Sequence, residues 1–232
     1  MTLPQLICLK MPDIPMRHRF SPIRFFLLMA LPFMVIAMGN GWDSSGQQGI
    51  YRQKLDLLLR SVKFHDGDLI FRRGKSMASQ AVLLTDHNSM YSHVGMICMI
   101  GQVPYVIHAV PGESGSGPEE IKCEKLTSFL DFEKASRGGL YRLSQPDSPA
   151  IGKALQQAKQ AFDKRVKFDE EYDLKSDDKL YCTELIWKSY LVAGVDLVQG
   201  QFDLLSIPLR RGKYILPGTF LNSQSLISIY TY

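Results

Sequence analysis

The stretch Tyr181-Cys182-Thr183-Glu184-Leu185 opens an apolar-periodic run from Leu180 to Ala193, which predicts a helix stopped by Gly194. A cysteine beside a helix N-terminus feels the positive end of the dipole, which lowers a thiol pKa and raises its thiolate fraction. Cys182 is therefore the candidate nucleophile. Taken alone, it also reads as a small core residue. Glu184, two residues on, suits the first turn of the same helix.

Upstream, Tyr51 to Val62 carries Leu55, Leu58, Leu59 and Val62 at helical spacing, after a polar, glycine-rich leader from Gly39 to Gly49. Asp66-Gly67 marks a turn before a buried strand, Leu69-Ile70-Phe71. Ser76 to Leu84 predicts a helix. Tyr91 to Ile100, Val103 to Val110, Glu120 to Leu126 and Gly139 to Leu143 predict strands, with a short helix within Thr127 to Ala135. Pro149 to Arg165 is helical, with Ile151, Ala154, Leu155, Ala158 and Phe162 on one face. Pro111 to Pro118 and Asp169 to Asp178 are loops. Hairpin-like spacing of strands between helices, without regular βαβ alternation, predicts an α+β fold with a mainly antiparallel sheet.

Two histidines fall on neighbouring strands. A two-residue loop at Gly101-Gln102 pairs Ile100 with Val103, and counting outward sets His93 opposite Val110. His108 is then its diagonal neighbour on the same face, roughly 7–8 Å away. A thiol, a base and a group that orients the base are the parts of a nucleophilic hydrolase. In that reading His93 takes the Cys182 proton and His108 holds the other ring nitrogen. Zinc bound by Cys182, His93 and His108 is a rival use of the same residues. No Cys-x-x-Cys or His-Glu-x-x-His spacing supports it, so neither a metal nor a cofactor is expected. His65 and His87 lie in turn-like, polar surroundings and read as solvated.

The 232 residues, 45% of them hydrophobic, are enough for one substantial core. Arg17, Arg19 and Arg24 precede Phe25 to Met38, a run without charge, followed by Gly39, Asn40 and Gly41. This pattern predicts a secretory signal peptide over residues 1–39, with Met16 as an alternative start, and a single domain over 40–232. The run is shorter than the roughly 20 residues that span a bilayer. We therefore expect an exported protein, periplasmic or associated with the envelope, whose membrane contact is limited to the signal segment if that is retained. The formal charge of +4 falls to +1 from residue 39 onward, with 23 basic and 22 acidic residues, which lacks the footprint of a nucleic-acid binder. Cys98, Cys123 and Cys182 remain after the signal, and the first two read either as a bridge or as small core residues.

Four segments in order, Gly67-Asp68-Leu69-Ile70-Phe71-Arg72, Tyr91-Ser92-His93-Val94-Gly95-Met96, Val106-Ile107-His108-Ala109 and Tyr181-Cys182-Thr183-Glu184-Leu185, resemble the YiiX/YaeF-like permuted papain-fold cysteine hydrolases. These are relatives of the NlpC-type cell-wall peptidases and of lecithin–retinol acyltransferases. The histidine strand precedes the cysteine helix, the order of the permuted branch. The resemblance implies a circularly permuted papain-like fold, a mainly antiparallel sheet or small barrel against the cysteine helix. It implies Cys182 as nucleophile, His93 as base and His108 at a third position that often carries glutamate in relatives. Tyr181, Tyr172 and Asp68 are implied as substrate-pocket groups, with loop packing, or a turn cap for Asp68, as their simpler roles. The expected activity is that of a thiol hydrolase, an amidase or peptidase on an envelope peptide. An acyl hydrolase or acyltransferase acting on lipid esters, or a non-catalytic binding module, are the alternatives.

Overall fold

The structure, a computed structural model, describes residues 44–111, 119–145, 147–207 and 210–232. The predicted signal peptide and most of the Pro111–Pro118 loop lie outside the described residues.

The chain runs α1 (Ser44–Ser61), β1 (Leu69–Gly74), α2 (Met77–Thr85), β2 (His93–Ile100), β3 (Val103–Ala109), β4 (Ile121–Lys125), α3 (Leu126–Phe129), β5 (Ala135–Leu143) and α4 (Ser148–Asp163). It continues through β6 (Lys167–Phe168), β7 (Lys179–Leu180), α5 (Cys182–Val192), β8 (Asp203–Ile207), β9 (Arg210–Tyr214), α6 (Pro217–Leu221) and β10 (Leu226–Thr231). Six strands form one sheet in the order β10-β5-β1-β2-β3-β4, every neighbouring pair antiparallel. This is the expected α+β architecture.

Side chains alternate across the sheet and split the core in two. Leu69, Phe71, Val94, Met96, Cys98, Ile107, Ala109 and Ile121 face a cluster that includes Ala154, Ala158, Leu185 and Ile186 of α4 and α5. Ile70, Ile97, Val106 and Leu140 face Leu58 of α1 with Leu126 and Phe129 of α3. Neither helical layer could bury its apolar stripe without the sheet between them.

The β2–β3 hairpin follows the predicted register, Ile100 opposite Val103, and Gly101 takes the left-handed φ of +63° that its two-residue turn requires. Cys98 faces Tyr105 while Cys123 faces Ile107, so β3 lies between the two cysteines. Two strand spacings, about 9–10 Å, exceed the reach of a disulfide, and both thiols are free.

Three features differ from the sequence reading. The second half of the predicted leader is already helical, because α1 begins at Ser44. The buried face of α4 uses Ala161 where Phe162 was expected, and Phe162 stays half exposed. Beyond Gly194 the chain adds a hairpin, a short helix and the edge strand β10. The side chains of β10 are partly exposed on both faces, so its alternation carries little pattern.

Candidate active site

Cys182 is the first residue of α5, and Tyr181 is its N-cap. The backbone N–H of Tyr181 donates to the Glu184 carboxylate at 3.3 Å, as in one half of a capping box. The Thr183 hydroxyl donates to the Ile215 carbonyl at 2.6 Å, and the Ile215 N–H donates to the Tyr181 hydroxyl at 3.1 Å. The segment before α6 thus clamps both residues that flank the cysteine. Glu184, fully buried, has its carboxyl pushed up to about 7 by burial, against the pull of Lys188 at 3.0 Å.

Cys182 and His93 line one cleft, together with Arg72, Ser76, Ala78, Ser79, Val82, Ser92 and Tyr172 among others. Hydrogen bonds from the backbone of Val94, Thr183 and Cys182 itself reach the sulfur. The thiol therefore sits against the residue next to His93. Burial pushes its pKa up, and those hydrogen bonds and the Arg72 guanidinium only partly oppose this. The thiol pKa is therefore raised, not lowered as the sequence predicts, and desolvation is the largest influence on it.

Behind Cys182 the two histidines join. His93 Nε2 and His108 Nδ1 are 2.9 Å apart, and His108 Nε2 lies 3.1 Å from a Glu124 carboxylate oxygen. The second Glu124 oxygen accepts from Lys134 at 3.1 Å. Burial pushes the Glu124 carboxyl up, but His108 and Lys134 outweigh it and hold the group at about 2. His93 is held well below the usual imidazole range by burial, then by Arg72 and His108. It is thus neutral at pH 7.

With His108 neutral, one set of tautomers leaves His93 a base toward the cleft. A neutral His108 donates through Nε2–H to Glu124, so its Nδ1 accepts from His93 Nε2–H. His93 Nδ1 then carries the lone pair a general base needs. When His93 gains a proton at Nδ1, its Nε2 proton can pass to His108, which puts the positive charge beside Glu124 and away from Arg72.

Phe129 at the end of α3 organises the cluster. His93 stacks on it with ring centroids 5.6 Å apart, His108 meets it edge-on at 4.9 Å, and the Arg72 guanidinium lies 4.6 Å above it. Arg72 Nη1 also donates to the Phe129 carbonyl at 2.9 Å, and Arg72 faces His93 across the β1–β2 ladder. Gly95 gives the histidines room, since a Cβ there would stand 2.3 Å from Val106 and 3.0 Å from His108 Cβ.

The structure brings together the predicted Cys182, His93 and His108, and places Tyr172 on the cleft wall with a backbone φ of +53°. Asp68 and Tyr181 do not line this cleft. Asp68 is buried at the other end of β1, bound by Arg142 at 2.7 and 2.8 Å and by the His65 N–H, as a turn anchor. Tyr181 is buried, with its ring on Tyr172 and its hydroxyl on Ile215. Glu124, Arg72 and Phe129 were missed. Two-residue alternation on β4 was the available signal for Glu124, which lies diagonal to His108 on the same face of the ladder.

The family described as permuted papain-like amidase enzymes, YaeF/YiiX, C92 family, matches residues 63–211. The chain belongs to this family. Its members are cysteine hydrolases of the amidase type, and the permuted order seen here, histidine strand before cysteine helix, is theirs. This C92 chain is 32% identical over 125 residues to the uncharacterized protein YiiX of Escherichia coli K12. That alignment covers 53% of this chain and 56% of the relative, so the match spans about half the length of each. The crystal structure of the metalloprotein YiiX from Escherichia coli O157:H7 shares the fold, with a TM-score of 0.61 and 24% identity over 74% of this chain and 99% of that one.

Within this C92 member, replacing Glu124 by glutamine tests the relay. Hydrogen bonds to a charged group are worth about 1.5–3 kcal/mol, so Glu124→Gln lowers the maximal hydrolysis rate roughly 10- to 100-fold. Loss of the negative charge destabilises the protonated histidine pair, so the acid limb of the rate profile moves to lower pH. A pH–rate series on both proteins checks both effects, and an unshifted limb contradicts the relay.

Proposed function

We propose that this protein is an exported thiol amidase that cleaves an amide in an envelope-associated peptide. The observation that carries the reading is the continuous chain of contacts from Glu124 through His108 to His93, which ends at the cleft that His93 and Cys182 line together. In the first step His93 Nδ1 takes the thiol proton as Sγ attacks the carbonyl carbon, forming the S–C bond and a tetrahedral oxyanion. The Cys182 N–H, a helix-start donor without an intrahelical partner that bonds the sulfur at rest, passes to that oxyanion as the sulfur attacks. His93 returns the proton to the departing amine as the C–N bond breaks. Water, deprotonated by the same nitrogen, then cleaves the thioester and releases the acid. Starting from a neutral thiol and a neutral imidazole, proton removal and attack are coupled.

Export is supported by the sequence from Arg17 to Met38, basic then apolar. A second reading, hydrolysis of a lipid acyl ester by the same thiol chemistry, is favoured by Ala78, Val82 and Val110 on the cleft wall. The O157:H7 YiiX is a metalloprotein, but the residues of this site do not form a metal centre. Among the described residues no three His, Cys, Asp or Glu side chains are grouped to hold an ion.

Labelled muropeptides and phospholipids, incubated with the protein side by side, test the reading. We expect a new carboxylate and a new amine from the muropeptides. Fatty acid release with intact muropeptides replaces the amidase reading with the esterase one.

A further inference from the structure

Helix α2, MASQAVLLT, buries none of its residues and carries no charge. Ala78, Ser79 and Val82 on one side of it line the cleft. Met77, Ala81 and Leu84, spaced i, i+4 and i+7, form a second face, with Met77 87% and Leu84 77% exposed. Met90, in the loop that follows, is 47% exposed, and its carbonyl accepts from Arg73. An apolar surface of this kind beside a cleft marks an interaction site.

The charges around it identify the partner. From Leu69 to Pro111 the one acidic residue is Asp86, which is buried, its carboxylate accepting from the Asn88 and Gly218 N–H groups. Arg73 and Lys75 directly precede the helix, and Lys75 Nζ lies 3.4 Å over the ring of Phe132, which the exposed Asp131 and Glu133 flank. Glu119, Glu170 and Glu171 belong to the segments around Phe168 and Tyr172, another wall of the cleft. An uncharged, apolar helix with cations at one end matches an anionic lipid interface, where apolar side chains enter the headgroup–acyl boundary and cations meet phosphate.

We propose that α2 docks this protein on an anionic phospholipid surface and so holds the cleft at the membrane face. Met77 and Leu84 enter the boundary region, and Arg73 and Lys75 contact the lipid headgroups. The proposal goes beyond the amidase reading and is independent of which bond Cys182 cleaves.

The test uses the full chain with Met77→Trp, and with Gln156→Trp as a control on the exposed side of α4. Each is mixed with phosphatidylglycerol–phosphatidylcholine vesicles containing lipids brominated in the acyl chain. The expected result is a blue shift and bromolipid quenching of the tryptophan at 77, beyond the background of Trp42 and Trp187, and none at 156. Adding Arg73→Gln and Lys75→Gln weakens vesicle binding through that site by roughly 10-fold or more. Because the signal arises at position 77, attachment through the apolar run Phe25 to Met38 does not by itself produce it. An unshifted, unquenched tryptophan at 77 overturns the proposal. So does a shift that follows protein concentration without lipid, which would assign the face to a second copy of the chain.

Discussion

Cys182→Ala protein retains its fold and loses on the order of 10⁴- to 10⁶-fold in kcat on an amide substrate, the scale seen when a hydrolase nucleophile is removed. The fold survives because Cys182 is only half-buried and alanine is a good helix former. Stability within about 1 kcal/mol of wild type is expected from denaturant unfolding. Residual turnover measures what binding and oxyanion stabilisation achieve without a thiol. Wild-type turnover in this variant would remove Cys182 from the chemistry altogether.

His93→Gln gives the second large effect. Glutamine can still donate to His108 Nδ1 but offers no basic nitrogen to the thiol, so the contact at the buried end of the relay survives while proton transfer fails. The expected loss in kcat is about 10²- to 10⁴-fold. Groups that act as a unit are non-additive, so adding His93→Gln to Cys182→Ala costs little more than Cys182→Ala alone. Steady-state kinetics on the two single variants and the double variant check this. Full additivity would mean that His93 acts on something other than the thiol.

The geometry of the candidate site was legible where it depends on local pattern. A two-residue loop at Gly101-Gln102 fixes the hairpin register, and period-two alternation then puts His93 and His108 on one face whatever the rest of the chain does. The start of α5 at Cys182 is likewise a local capping event. What was not legible depends on elements far apart in sequence. Glu124 becomes part of the site only when β4 joins β3, and Phe129 only when α3 folds back under His93. Asp68 shows the same dependence, since its partner Arg142 lies 74 residues away on β5 and anchors it at the turn. The thiol pKa was misjudged for the same reason. A helix dipole can be read from sequence, whereas the desolvation that raises the thiol pKa comes from the assembled cleft.

The central claim is that Cys182 forms a covalent acyl intermediate within this relay. Intact-mass measurement of protein quenched with acid during turnover, followed by peptide mapping, tests it most directly. The account predicts an added acyl mass on the peptide containing Cys182, absent from Cys182→Ala. An acyl mass on another residue, or undiminished turnover by Cys182→Ala with no adduct in the wild type, would contradict it.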